Sequence, residues 1–168
     1  MESSTELLRT EKFSVVQRVI DGREKALVQH PGAVVILPFV DADHICLIRN
    51  KRFAVEKTLV ELPAGTLEPG EEAIITAQRE LAEETGFRSD NLTPLFDYYV
   101  SPGILNEKMH AFIAKNLVAG EQNLMHDEEI EIEVVRFDDA LAAIKNGQIE
   151  DAKTIATLLY YQQFVAMV

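Results

Sequence analysis

Three carboxylates share one face of a short helical segment in this chain: Glu80, Glu83 and Glu84, within Arg79-Glu80-Leu81-Ala82-Glu83-Glu84-Thr85-Gly86. Residues three and four apart are neighbours on a helix surface, so Glu80 stands beside both Glu83 and Glu84. Like charges at that spacing cost a helix roughly 0.2–0.5 kcal/mol per pair when nothing compensates. By themselves the three residues suit either a solvated acidic face or a cradle for a hard divalent cation. Oxygen ligands on a short scaffold favour Mg2+, with Mn2+ as the chemical alternative, because such an ion keeps waters and shares its shell with substrate phosphates. Arg79 adds a planar, bidentate donor able to orient a carboxylate, with Glu71 as the expected partner.

The elements that must hold this row are legible around it. A helix is predicted over about residues 71–84, after Pro69-Gly70, with acids in its first turn and a stop at Gly86. Ile74, Ala77 and Leu81 supply its apolar side. Ahead of it lie predicted strands over 13–20 and 25–29 with an Asp21-Gly22 turn, a hairpin over 33–40 and 45–49, and a short strand over 59–62 ending in Pro63-Ala64-Gly65. Behind it, strands are predicted over 95–100 and 108–116, flanking the Ser101 to Glu107 loop. An acidic connection, His126-Asp127-Glu128-Glu129, then leads to a strand over 130–137. There Ile130, Ile132 and Val134 alternate with Glu131 and Glu133, the pattern of a half-exposed strand. Asp138 is the expected N-cap of a helix over 139–146, and a last helix spans about 151–165. With no repeat or linker, residues 1–168 are expected to form one α/β domain: 1–30 as N-terminal strands, 31–168 as the core.

Composition sets limits on partners. The chain of 168 residues has 16 basic and 28 acidic side chains, a formal net charge of −12. Such a surface repels a nucleic-acid backbone, so a phosphate ligand would need cations between two negative bodies. No apolar run approaches the roughly 20 residues of a membrane span. The polar start MESSTELLRTEKF and the single cysteine, Cys46 between Ile45 and Leu47, lead to the expectation of a cytoplasmic protein without a disulfide. Cys46 is expected to be a packed thiol rather than a nucleophile.

The 23 residues from Gly65 to Phe87 resemble the Nudix box at every fixed position: Gly65, Glu71, Arg79-Glu80, an aliphatic Leu81, Glu83-Glu84, Gly86 and apolar Phe87. The resemblance implies an α/β/α sandwich with a mixed β-sheet. It also implies metal ligation by Glu80 and Glu84 with Glu83 assisting, and hydrolysis of a nucleoside diphosphate linked to a second group. Further features resemble the ADP-ribose pyrophosphatase branch of that family. Glu61-Leu62-Pro63-Ala64-Gly65 precedes the box, and in that branch the carbonyl at the position of Ala64 also binds metal. Pro102-Gly103 lies at the branch's spacing after Gly86, with Glu107 implied in contact with metal or ribose. The similarity extends from about His30 to Tyr161.

The same resemblance implies that a water activated by the metals attacks one phosphorus, giving AMP and ribose 5-phosphate. A loop glutamate would be the general base, here Glu128 or Glu129, although His126 departs from an acidic position of relatives. Arg52 resembles a phosphate-contacting arginine. Lys25 stands where some relatives place an arginine from a second subunit, and N-terminal strands exchanged in a homodimer are implied. Two other readings compete: the same chemistry on another sugar nucleotide of the GDP-mannose type, and a silent domain that senses ADP-ribose. A silent domain would be expected to lack a box glutamate, and none is missing.

Overall fold

In the computed structural model of the chain, residues 4–124 and 129–166 are described. The molecule is built around β4 (Ala33–Pro38), whose six residues are all buried. A strand covered on both faces reads as an unbroken apolar run rather than an alternation, and AVVILP is such a run. Its alternation sorts two cores. Val34 and Ile36 pack with Ala77 and Leu81 of α1 (Ala73–Thr85), while Ala33, Val35 and Leu37 pack with Ile45, Leu47, Phe137, Ala140 and Leu158 on the other side. The helices on that second side are α2 (Phe137–Lys145) and α3 (Ala152–Phe164).

The central sheet runs β7-β4-β9-β8, with β7 (Ala64–Thr66), β8 (Asn91–Tyr99) and β9 (Lys108–Lys115). β4 and β9 are parallel and the other pairings antiparallel, so the sheet is mixed. A second sheet, β10-β5-β6, joins β5 (His44–Arg52), β6 (Lys57–Glu61) and β10 (Ile130–Arg136). A third contains β1 (Ser4–Arg9), β2 (Ser14–Ile20) and β3 (Arg23–Gln29). Asp21 and Gly22 both take positive φ, 51° and 72°, as a two-residue hairpin turn requires. The third sheet is tied to the rest through Val28, whose N–H donates to Ile104 O at 2.8 Å, and through Asn106 Oδ1, which accepts from His30 N at 2.7 Å.

Four local expectations are corrected. α2 starts at Phe137 with Arg136 at the N-cap position, so Asp138 lies in the first turn rather than at the cap. The first turn of α1 has no acidic residue, because Glu71 and Glu72 precede it. Ile132 and Val134 are 44% and 47% exposed, and Val135 on the other face packs on the core instead, so the face carrying the alternating apolar residues is not the one turned to the core along most of β10. β8 begins at Asn91 rather than 95, running through Pro94 at a register irregularity. Proline is tolerated there because β8 is at an edge.

Among the described residues no helix is long and apolar enough to cross a membrane. Cys46 is fully buried in β5, and burial pushes its thiol up to about 12. Ellman's reagent should therefore leave the folded protein unlabelled at pH 8 and titrate one thiol per chain after denaturation; rapid labelling of the native protein would place Cys46 at the surface.

Candidate active site: an acidic row closed by one arginine

The antiparallel pairing of β7 with β4 sets Val34 opposite Gly65 and Val35 opposite Ala64, beneath the helix that carries the glutamates. α1 anchors its apolar side through Ala77 and Leu81, both fully buried, which turns Glu80 and Glu84 towards β7. Glu84 is 3% exposed, and its Oε2 accepts the Ala64 N–H at 2.8 Å. Glu80 lies so close over Gly65 that a Cβ there would sit 1.8 Å from the carboxyl carbon. The first glycine of the motif is thus a space requirement: its absent side chain is where the Glu80 carboxylate rests.

Arg79 closes the row. Its Nε and Nη2 donate to the two oxygens of Glu71 at 3.2 and 3.1 Å, and its Nη1 to Glu80 Oε1 at 2.7 Å and Glu83 Oε2 at 3.1 Å. The expected Arg79–Glu71 pair is present, and one guanidinium serves three carboxylates. Hydrogen bonding to Glu71, against the opposing effect of burial and with help from Glu80 and Glu83, raises the Arg79 pKa still further above its ordinary value. The reciprocal effect, with Arg79 as its main cause and Thr76 and the Glu68 N–H assisting, holds the Glu71 carboxyl down at about 2.

The far end of α1 is fixed from another direction. Gly86 ends the helix at φ 74°, and a Cβ on it would meet Gly120 O at 2.8 Å. That close approach lets Asn123 N donate to Glu83 O at 3.0 Å and Gln122 Nε2 to Glu84 O at 2.6 Å. Nothing in the sequence marks the 118–124 segment for this role, because its contacts run through backbone atoms and an amide that no spacing rule singles out.

A cleft of about 1110 Å³ opens over the row. Ala64, Gly65, Arg79, Glu80, Glu83 and Glu84 line it, with Arg52 and Lys51 from the end of β5 and Asn123 and Leu124 from the clipped segment. Volumes of roughly 300–1,000 Å³ are usual for small-molecule clefts, so this one has room for an extended ligand. Arg52 is bonded to Glu61 through Nε at 2.8 Å and Nη2 at 2.5 Å. Glu61 belongs to the segment ahead of the box, but its pairing with Arg52 is set by the alignment of β5 with β6 and is not marked in the sequence.

The remaining expected positions are less drawn in. Glu107 is near His30, with Oε1 3.7 Å from Nδ1, and His30 borders the cleft. Pro102 and Gly103 are exposed in the 101–107 loop, and Lys25 is exposed on β3; within a single chain none of the three lines the cleft. Glu129 is exposed and pairs with Lys51 Nζ at 3.2 Å, while His126, Asp127 and Glu128 fall outside the described residues.

The geometry makes two tests specific. Gly65→Ala should displace the flexible Glu80 carboxylate while keeping the fold. Activity is expected to drop by about 100-fold, the effect of losing one preorganised charge-stabilising group, with Tm nearly unchanged; a fully active Gly65→Ala enzyme would contradict the packing. The Glu71–Arg79 pair, with a carboxyl pKa lowered from 4.5 to about 2, adds stability fully present above about pH 4.5 and lost as pH falls towards 2. The Tm difference between wild type and Glu71→Gln should hold constant from pH 5 to 8 and shrink below pH 4.5; a difference that first grows on acidification would oppose this assignment.

Comparison with known proteins agrees with this arrangement. Residues 28–158 match the NUDIX domain family. The chain is 40% identical over 141 residues to an ADP-ribose pyrophosphatase of Bacillus subtilis (strain 168), spanning 83% of this chain and 76% of that protein. It is 35% identical over 140 residues to a GDP-mannose pyrophosphatase of Shigella flexneri serotype 5b (strain 8401), spanning 78% and 73%. In fold it is similar to the crystal structure of an ADP compounds hydrolase, with a TM-score of 0.80 at 23% identity over 98% of this chain and 92% of that one. With its glutamate row, arginine clamp and glycine cradle in place, this chain belongs to the Nudix family.

Proposed function

We propose that the protein hydrolyses the diphosphate of a nucleoside diphosphate sugar, ADP-ribose foremost, to AMP and ribose 5-phosphate. The observation that carries this reading is the packing of Glu80 and Glu84 against Ala64-Gly65 in the wall of a large cleft that also holds Arg52.

The donor set suits a divalent cation of the Mg2+ type. It consists of hard oxygens, crowded and partly buried, with the Arg79 guanidinium bonded to Glu80 and Glu83. Among the described residues no three Asp, Glu, His or Cys side chains enclose an ion as they stand. A Mg2+ ion completes its shell with water and substrate phosphate rather than with protein groups alone. Glu80 and Glu84, with Glu83 and the Ala64 carbonyl, would hold Mg2+, or Mn2+ in its place, and the ion supplies charge neutralisation and a water of lowered pKa.

The chain's own groups do the rest. Arg52, in the same cleft, binds a phosphate of the substrate. Arg79 keeps Glu80 and Glu83 oriented between turnovers and shares their charge. Glu128 or Glu129 accepts a proton from the attacking water: Leu124 lies in the cleft wall and Glu129 pairs with cleft-lining Lys51, so both described ends of that segment meet the site. The water oxygen bonds to one phosphorus, the bridging P–O bond breaks, and the second phosphate leaves with its sugar. Glu107 and the Pro102-Gly103 loop are proposed to contact the ribose side. A homodimer is proposed through the N-terminal sheet, whose outer strand β1 is exposed along its whole length; Lys25 of β3 would reach a partner's cleft in that assembly.

A second reading keeps the chemistry and changes the base, and the GDP-mannose pyrophosphatase relative favours it. Nothing in the acidic row recognises a base, so the two differ only elsewhere in the cleft. Assayed with Mg2+ against ADP-ribose, ADP-glucose, GDP-mannose, NADH and diadenosine polyphosphates, the enzyme should show its highest kcat/KM on ADP-ribose; preference for GDP-mannose would select the second reading. Glu84→Gln, whose amide oxygen can still accept the Ala64 N–H, should lower kcat by about 100-fold or more at unchanged fold. Wild-type turnover in that variant would end both readings.

A further inference from the structure

Outside the acidic row, a buried chain of charges runs from the cleft to the start of α3. Glu61, the last residue of β6, has a side chain only 1% exposed. Its Oε1 accepts from Arg52 Nε at 2.8 Å, and its Oε2 accepts from Arg52 Nη2 at 2.5 Å and from Lys153 Nζ. Lys153 is itself 12% exposed and lies 3.0 Å from Asp151 Oδ2. Asp151 is the N-cap of α3, accepting the Thr154 N–H at 2.9 Å and the Thr154 hydroxyl at 2.6 Å. Thr154 Oγ1 in turn accepts the Leu62 N–H at 2.8 Å, which returns the chain of bonds to the residue after Glu61.

Burying a carboxylate with two cations is a poor way to gain stability, since well-packed apolar residues of the same volume usually serve as well or better. What such a network does supply is a fixed direction. Arg52 has a 40% exposed side chain at the cleft wall, and an arginine so placed is ordinarily free to sample many rotamers. The fork formed with Glu61 fixes the guanidinium plane through Nε and Nη2 and leaves its other N–H groups for a further acceptor. Lys153 holds the second oxygen of Glu61, so the carboxylate cannot swing out with the arginine. A donor ordered before the ligand arrives loses less freedom when it binds.

We infer that Glu61, anchored by Lys153, is a positioning residue that presents Arg52 to a phosphate of the substrate, coupling the first turn of α3 to the cleft. This rests on the proposed contact between Arg52 and substrate. Its signature is in binding, because the bonds of Glu61 run to Arg52 and Lys153.

The test is a double-mutant cycle on ADP-ribose hydrolysis with Tm recorded for each variant. Glu61→Gln should raise KM by about tenfold with kcat within about twofold, and Glu61→Asp should recover part of that loss. Arg52→Ala should raise KM at least as much. On the Arg52→Ala background Glu61→Gln should add less than about twofold, because the residue it orients is gone. If Glu61→Gln alone fails to fold, Glu61→Gln combined with Lys153→Met removes one charge of each sign and is read on the same scale. A folded Glu61 variant with wild-type KM, or an effect that multiplies with that of Arg52→Ala, overturns the inference while leaving the hydrolase reading intact. An Arg52→Ala enzyme with wild-type KM removes the phosphate contact itself, and the inference with it.

Discussion

Four carboxylates and one guanidinium share a space a few ångströms across, and the local structure around α1 follows from keeping them there. Glu71, Glu80 and Glu83 all accept from Arg79, while Glu84 is held separately by the Ala64 N–H. Repulsion between such groups would open the helix or turn its side chains to water if they were free to move. They are not free, because Ala77 and Leu81, beside them on the buried side of the helix, pack on β4, and Gly65 leaves room for Glu80 to lie flat on the strand. The outcome is a crowded negative surface in the cleft wall. In a chain with a net charge of −12, a cation on that surface would offset the repulsion of a diphosphate.

Two kinds of contact keep the row in register with the rest of the cleft. One is short range in sequence: the tight turn before α1 and the left-handed Gly86 after it. The other is long range and made by backbone. Gly86 and Gly120 approach so closely that a side chain on either would collide, which brings Asn123 and Gln122 onto the carbonyls of Glu83 and Glu84. The segment that leads towards the acidic loop is thereby attached to the same helix that carries the row. Also in the cleft wall, Arg52 is bonded to a buried partner in a neighbouring strand.

Much of this is legible in the amino-acid sequence alone. The apolar run 33–38 marks the central strand, the Asp21-Gly22 pair marks a hairpin, and the spacing of Glu80, Glu83 and Glu84 marks the chemistry, because each rests on a local rule. The Arg79–Glu71 pair is legible for the same reason. What escapes depends on tertiary surroundings. β1 is exposed throughout, so no burial pattern betrays it, and β7 is three residues long and follows a proline. Ile132 and Val134 look inward by alternation yet lie outward, since the packing of the neighbouring elements turns Val135 to the core instead. Glu61 and Lys153 are 92 positions apart in sequence and meet only through the packing of α3 beside β6.

The central claim is that the glutamate row receives a divalent ion together with a diphosphate. Anomalous scattering from Mn2+ in crystals grown with a methylene-bridged, non-hydrolysable analogue of ADP-ribose addresses it directly. A Mn2+ peak bridging the carboxylates of Glu80 or Glu84 and the phosphonate oxygens of the analogue, beside Arg52, is the expected result. Analogue bound elsewhere, or a row still closed on Arg79 with Mn2+ at saturating concentration and no peak beside it, would contradict it.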